Sequence, residues 1–195
     1  MPKHTPVPAK ISKSKKQTTA ARETESGHAI HIAIEQLAKA IAQRHPAREK
    51  ILLLGIANGG VTLARRLATM IPGARPGVLD ISFHRDDIGR HPIPKEFAPT
   101  HIPGDVNNAT VILVDDVLQS GRTINAALNE VFDHGRPERV ELAVLVDRGD
   151  RRLPIAANYT GIQLDVGANE KIRTHIDPAN PALDTIEITS TLPAR

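Results

Sequence analysis

Cysteine and tryptophan are both absent from the 195 residues of this chain. Without cysteine it can form no disulfide, no thiolate metal site and no thiol nucleophile. Aromatic residues number only three Phe and one Tyr, so a surface that stacks nucleic-acid bases on several rings is not expected. No apolar run approaches membrane-spanning length, and no hydrophobic signal region follows the N-terminus. We therefore expect a cytoplasmic protein that makes no membrane contact.

The positive charge of the chain is concentrated at its N-terminus. Residues 1–22 contain six Lys or Arg and no acidic residue, and removing these six charges from the whole-chain value of +3 leaves about −3 for the remainder. This segment is rich in Pro, Lys, Ser and Thr, a composition that favours disorder. The sequence predicts a disordered basic tail over 1–25 and one domain over 26–195. The tail is either a solubilising extension or a hook for nucleic acid.

Strand and helix patterns alternate through the rest of the chain. A helix is predicted from Ser26, where Ile30, Ile34, Leu37 and Ile41 keep helical spacing. Later segments predict strands at 51–56, 77–83, 111–118 and 139–149, helices at 61–71 and 122–134, a long loop at 84–108, and two weak strands at 162–166 and 184–189. This alternation indicates an α/β fold with a mainly parallel sheet and right-handed crossovers.

The stretch VILVDDVLQSGRT at 111–123 carries the strongest functional pattern. An apolar strand ends in Asp115 and Asp116, and a turn with hydroxyl side chains then leads into a helix. Ligands of open α/β sheets bind beyond the carboxyl ends of the strands, and amides at a helix start attract anions. Two acids beside such a turn suit a ligand with both a phosphate and vicinal hydroxyls, such as ribose 5-phosphate. The alternative is a buried strand followed by a solvated acidic turn and a well-capped helix.

Two further segments are candidates for anion binding. GIANGGVT at 55–62 has the glycine spacing of a Walker A loop, but Val61 stands where the lysine must be. The loop is therefore either a structural turn or a set of amides for a second anion. Arg85 begins the long loop and is read either as a cation that meets phosphate or as part of a solvated charge cluster.

Four segments together resemble the bifunctional pyrimidine operon regulator and uracil phosphoribosyltransferase family. They are GVLDISFHRDD at 77–87, VILVDDVLQSGRTINAAL at 111–128, HGRPERVELAVLVDRGDRRLPI at 134–155 and NYTG at 158–161. The resemblance implies the type I phosphoribosyltransferase fold: a twisted parallel sheet flanked by helices, with a small hood and a long mobile loop. It implies conversion of uracil and phosphoribosyl pyrophosphate (PRPP) into UMP and diphosphate. It also implies regulation of pyrimidine biosynthesis genes in response to uridine nucleotides.

The resemblance also assigns roles to residues. PRPP would enter with Mg2+, without a further metal site in the protein, and would place its 5-phosphate on 119–123 and its ribose hydroxyls on Asp115 and Asp116. With Arg85, these acids are the catalytic candidates. The implied PRPP-binding residues are Val111, Ile112, Leu113, Val114, Asp115, Asp116, Val117, Leu118, Gln119, Ser120, Gly121, Arg122 and Thr123, and the implied pyrophosphate loop is Ala57, Asn58, Gly59 and Gly60. The implied partners are PRPP, uracil, UMP or UTP, and further copies of the chain in a homo-oligomer.

The chain departs from the family pattern in two places. The pyrophosphate loop lacks the basic and hydroxyl side chains usual in the family, so only main-chain amides would meet pyrophosphate. Attenuating members contact leader RNA with Thr, Arg and His on the first helix, at positions that fall near Glu35, Gln36 and Lys39. They also use basic residues at positions near Asp150, Ala156 and Ile162, so most of these cations are missing here. Fewer cations weaken the phosphate contacts that dominate RNA affinity. The alternative function is therefore a nucleotide-sensing regulator without significant turnover, and binding of pyrimidine-gene leader RNA is the weaker expectation.

Overall fold

A computed structural model describes residues 21–45, 50–82, 84 and 99–190. The elements in chain order are β1 (Ala21–Glu25), α1 (Gly27–Arg44), β2 (Ile51–Ile56), α2 (Gly59–Met70), β3 (Arg75–Leu79), β4 (Thr110–Leu118), α3 (Arg122–Asp133), β5 (Arg139–Asp147), β6 (Tyr159–Gln163), β7 (Glu170–His175), a 3-10 turn (Pro181–Leu183) and β8 (Thr185–Ser190). Five strands form a wholly parallel sheet in the order β3-β2-β4-β5-β6. The predicted α/β fold with a mainly parallel sheet is confirmed.

The central strands are apolar throughout because helices cover both faces of the sheet. Every residue of β2 is buried, and successive side chains point to opposite faces. Ile51 and Leu53 join one apolar cluster with α1 and α2, whereas Leu52 and Leu54 join a second cluster with α3. Strands β4 and β5 are buried in the same way, which fixes the position of the acids at the end of β4.

Helix α1 follows the predicted pattern. Ser26 caps it by accepting a hydrogen bond from the Ala29 amide (3.3 Å), and Ile30, Ile34, Leu37 and Ile41 are buried. The helix ends at Arg44. Neither this helix nor any other in the described part of the chain is long and apolar enough to cross a membrane.

A second, antiparallel sheet of three strands in the order β1-β8-β7 forms the predicted hood. Ile186 and Ile188 of β8 are buried, and Ile186 and Ile172 belong to the apolar cluster on the α1 and α2 side of the large sheet. β1 occupies residues 21–25, which the sequence analysis placed in the tail. The folded unit therefore includes residues 21–25, because they pair with β8. Residues 1–20 lie outside the described residues.

The strand predictions were wrong at several boundaries, and β5, for example, ends at Asp147 rather than at 149. β3 ends at Leu79 rather than at 83, because the Asp80 carboxylate accepts the Ser82 amide (2.9 Å) and turns the chain. β6 begins at Tyr159 rather than at 162. Asn158 makes two hydrogen bonds to the backbone of Leu142 (2.8 and 2.9 Å) and thereby sets the start of the β6 pairing. The predicted loop at 84–108 is described at 84 and 99–108, where His101 pairs with Val78.

Candidate functional site

The site lies at the carboxyl ends of β4 and β5, where the turn between β4 and α3 is held by its neighbours. Gly121 has a left-handed backbone (φ 86°), and an added Cβ would lie 3.3 Å from the Leu153 Cβ. The amides of Arg152 and Leu153 both donate to the Ser120 carbonyl (3.1 Å). The Ser120 hydroxyl accepts the Arg122 amide at the start of α3 (3.3 Å), and amides of a first helical turn are donors that suit an anion.

The two acids at the end of β4 occupy different environments. Asp115 is only 6% exposed, and its carboxylate accepts the Asp116 amide (3.0 Å). Burial, and then the negative charge of Asp116, raise the pKa of Asp115 well above its usual range. Asp116 is half-buried; its carboxylate accepts the Val117 amide (2.9 Å) and the hydroxyl of Thr174 in the hood. Asp115 therefore retains its proton to higher pH than an ordinary carboxyl group does.

The loop at 57–60 packs against these acids. A Cβ added at Gly59 would lie 2.4–2.5 Å from the three carboxylate atoms of Asp116, and one added at Gly60 would lie 2.0 Å from the Val114 carbonyl oxygen. The Ala57 amide donates to the Leu79 carbonyl (3.0 Å), which fixes the loop to the end of β3. The structure thus brings the predicted pyrophosphate loop and the acid pair together.

Two adjoining cavities open at this edge. The first, of about 220 Å3, is lined by Asp115, Asp116, Val117, Leu118, Gln119, Ser120, Gly121, Thr123, Ile124 and Ile172. The second, of about 390 Å3, is lined by Val117, Gln119, Arg148, Ala168, Asn169, Glu170, Lys171 and Ile172. Three residues, Val117, Gln119 and Ile172, line both. One continuous cleft therefore runs from the β4–α3 turn to the segment before β7.

The end of β5 forms one wall of the second cavity. The Asp147 carboxylate accepts the Gly149 amide (2.9 Å) and a hydrogen bond from Arg151. It therefore organises its own loop. Arg148 is 4% exposed and donates to the Glu170 carbonyl (3.0 Å), which connects this loop to the hood.

The predicted site residues do not all face the cleft. Val111, Ile112, Leu113 and Val114 are fully buried in the sheet, so their side chains hold the strand in place and line neither cavity. Arg122 is exposed and also lines neither of the two cavities. Arg85 lies outside the described residues. His84 lies between Glu130 and Asp133 on α3, at 3.1 and 3.2 Å from their carboxylates, which attaches the start of the long loop to that helix.

Two residues of the hood contribute to the site and were not predicted from the sequence. Ile172 lines both cavities, and Thr174 contacts Asp116. The signal that could have found them is the alternation along EKIRTH, in which Ile172 and Thr174 are half-buried whereas Lys171, Arg173 and His175 are exposed. This period of two is typical of a strand with one covered face. The surrounding residues are polar, so the pattern is short and weak.

Taken together, these groups suit a sugar phosphate. Hydroxyls and helix amides at the β4–α3 turn can bind a phosphate, while the Asp116 carboxylate on the wall of the same cavity can accept sugar hydroxyls. Carboxylate oxygens are also the donors that Mg2+ prefers. The second cavity adds room for a planar ring beside Ile172.

The two loop glycines provide a matched test of this geometry. In Gly60→Ala the new methyl group meets backbone, so we expect the free energy of unfolding to fall by about 1–3 kcal/mol. In Gly59→Ala it meets the rotatable Asp116 side chain, so we expect stability within about 1 kcal/mol of wild type but weaker sugar-phosphate binding. Urea unfolding and ligand titration measure both effects. Equal destabilisation, or full affinity in Gly59→Ala, would contradict this geometry.

Comparisons with known proteins identify the family and the fold. A family described as the phosphoribosyl transferase domain matches residues 21–178. The chain is 43% identical over 172 residues to the bifunctional protein PyrR of Streptomyces coelicolor, with 85% of this chain and 89% of the relative covered. It is 42% identical over 168 residues to the protein of the same name from a Roseiflexus species, with 83% and 91% covered. A solved Bacillus anthracis hypoxanthine-guanine phosphoribosyltransferase shares its fold (TM-score 0.60, 19% identity, 74% and 86% covered).

Proposed function

Because this chain belongs to the phosphoribosyl transferase domain family, and within it to the bifunctional PyrR proteins, we propose that it is a uracil phosphoribosyltransferase. It transfers the phosphoribosyl group of PRPP to uracil, giving UMP and diphosphate, and it responds to uridine nucleotides as a regulator of pyrimidine genes. The observation that carries the proposal is the single cavity shared by Asp116 and the hydroxyl-lined turn at Ser120 and Thr123.

PRPP binds along the first cavity. Its 5-phosphate lies at the β4–α3 turn, where Ser120, Thr123 and the amides of the helix start donate to phosphate oxygens. Its ribose hydroxyls then reach Asp116, and Gly121 permits the close approach of the backbone because no side chain intervenes. The pyrophosphate group lies beside 57–60, since that loop touches the Asp116 carboxylate.

The acid pair fits the Mg2+ that accompanies PRPP. Asp116 presents a half-buried carboxylate to the cavity, and the Asp115 carboxyl group lines the same cavity beside it. Asp116 would hold the ion, with Asp115 behind it. When bound, Mg2+ neutralises charge that develops on the departing diphosphate.

The reaction then requires the base to face the anomeric carbon. Uracil lies in the second cavity, between Ile172 and the buried Arg148 loop. The bond from uracil N1 to the anomeric carbon forms as the bond to the diphosphate oxygen breaks, the electron pair of that bond leaves with the diphosphate, and the N1 proton passes to the diphosphate or to solvent water. Asp116 stabilises the positive charge of the ribose ring in the transition state. Positioning of uracil against the anomeric carbon supplies the remainder of the rate acceleration, so no covalent nucleophile is needed.

A base panel tests this assignment. The full chain with PRPP and Mg2+ is supplied with uracil, cytosine, hypoxanthine or guanine, and nucleotide products are separated by chromatography. We expect UMP from uracil and little product from the other bases. Production of a purine nucleotide, or no product from any base in a protein that binds PRPP, would refute uracil transfer.

A second candidate is a nucleotide-sensing regulator with little turnover, favoured by the uncharged side chains of Ala57 and Asn58 beside Asp116. In the variant Ala57→Lys with Asn58→Thr, a cation meets the leaving diphosphate, so we expect kcat to rise about tenfold. The matched control is Ala57→Met with Asn58→Thr, which has similar bulk without charge. A steady-state UMP assay compares the three proteins; an equal rise in both variants would rule out the charge as the cause.

The regulatory activity is tested by the effect of UMP on RNA affinity. The positions on α1 at Glu35, Gln36 and Lys39 are exposed, and only one of them is basic. Filter binding of pyrimidine-gene leader RNA, with and without UMP, should show nucleotide-dependent affinity if these genes are controlled through RNA. Repeating the titration without residues 1–20, which leaves β1 intact, separates the N-terminal segment from the folded surface, because loss of its cations reduces salt-dependent affinity alone.

A further inference from the structure

The hood makes a direct contact with the acid pair through Thr174. Thr174 lies on the inward-facing side of β7 together with Ile172, and its hydroxyl donates a hydrogen bond to Oδ2 of Asp116, a residue 58 positions away in sequence. β7 contacts β4 at this point. The carboxylate that faces the cavity thus already accepts a hydrogen bond from a hydroxyl group.

Two further contacts surround the carboxylate of Asp116. Its Oδ1 accepts the Val117 amide (2.9 Å), and Gly59 packs so closely that a methyl group there would collide with the carboxylate. Asp116 is therefore enclosed by β4, by the loop before α2 and by the hood. Of these three contacts, the Thr174 hydroxyl is the one with the same donor chemistry as a sugar hydroxyl.

We propose that the Thr174 hydroxyl takes the place of a ribose hydroxyl on Asp116, so that a ligand with a vicinal diol must displace this hydroxyl to bind. The inference rests on the proposed function, because it takes Asp116 as the acceptor of the ribose hydroxyls. It makes Thr174 a specificity-determining residue. A pentose phosphate exchanges one hydroxyl for another on Asp116, whereas inorganic phosphate binds at the β4–α3 turn and leaves the Thr174 bond intact.

The test compares Thr174→Val with Thr174→Ser and the wild type. Valine has the same shape and suits a strand, but it has no hydroxyl to be displaced. We expect Thr174→Val to bind ribose 5-phosphate and Mg2+-PRPP about three- to tenfold more tightly, since one hydrogen bond no longer has to be broken. Its affinity for inorganic phosphate should be unchanged. Thr174→Ser keeps the hydroxyl and should match the wild type for all three ligands.

Isothermal titration measures these affinities, and circular dichroism checks that each variant is folded. If the wild type binds PRPP but Thr174→Val binds it no more tightly, the inference is overturned while the proposed function stands. Weaker binding by Thr174→Val also overturns it, because the hydroxyl would then support Asp116 rather than compete for it. If no protein in the series binds PRPP or ribose 5-phosphate, the proposed function fails and the inference falls with it. Should Thr174→Val not fold, a Thr174→Ser protein with altered diol affinity would contradict the inference.

Discussion

Replacing Asp116 by Asn is expected to lower kcat/KM for UMP formation by about 10²- to 10³-fold, the usual cost of removing one preorganised electrostatic contact. The amide oxygen can still accept the Thr174 hydroxyl, so the hood contact is preserved. What is lost is the negative charge that faces the cavity and stabilises both the bound cation and the developing charge on the ribose ring. Steady-state kinetics with uracil and Mg2+-PRPP measure the effect.

Two control variants sharpen this expectation. Asp115→Asn should cost less than Asp116→Asn, because the raised pKa of the buried Asp115 already favours its neutral form. Glu35→Gln removes an exposed acid from α1 and should leave kcat/KM unchanged. If Asp115→Asn were the more damaging of the two acid variants, the buried carboxyl group would be the principal contact and our assignment of the ribose to Asp116 would be wrong.

Replacing Glu141 by Ala is expected to lower the free energy of unfolding by about 3–5 kcal/mol, the range found when one partner of a buried ion pair is removed. Glu141 is 3% exposed and accepts hydrogen bonds from the His45 ring (2.8 Å) and the Tyr159 hydroxyl (2.6 Å). Arg44 lies 3.1 Å from its other oxygen. The variant leaves these groups without their shared acceptor. Urea unfolding measures the change, and Glu138→Ala, at an exposed position three residues earlier, is the matched control.

The same cluster predicts a pH dependence. Burial alone would raise the pKa of Glu141, but the hydrogen bonds from Tyr159 and His45, with the charges of His45 and Arg44, outweigh it and lower the pKa. A lowered folded-state pKa contributes stability that is present above the unfolded-state value and is lost as the pH falls through the folded-state value. The stability curves of wild type and Glu141→Ala should therefore converge in acid. A difference that stayed constant between neutral pH and acid would show that packing, and not charge, accounts for the loss.

Much of the site could be predicted because its signal is local. The strand, turn and helix at 111–133 follow one another directly, and a left-handed Gly121 between them marks the turn by its residue type. Helix α1 could also be predicted, since Ser26 caps it and its apolar residues keep a helical period. In each case the residues that determine the structure lie in the same element or in the element next to it in sequence.

The strand pairing of the hood could not be predicted from local pattern in the same way, because its contacts join distant parts of the chain. β1 pairs with β8 across nearly the whole domain, and Thr174 meets Asp116 only after the parallel sheet has formed. In the buried cluster at Glu141, His45 from the end of α1 likewise forms hydrogen bonds with Glu141 and with Tyr159 from β6. Local pattern indicates which residues are apolar or polar, but partners this far apart are chosen by the tertiary fold.

The most direct test of the account is a titration of Mg2+-PRPP into the full chain by calorimetry. We predict saturable binding at one site per chain, competition by UMP, and at least a tenfold loss of affinity in the double variant Ser120→Ala with Thr123→Val, which removes both hydroxyls of the β4–α3 turn. PRPP binding that the double variant leaves unchanged, or no binding by the wild type, would contradict the claim that this turn holds a ribose 5-phosphate.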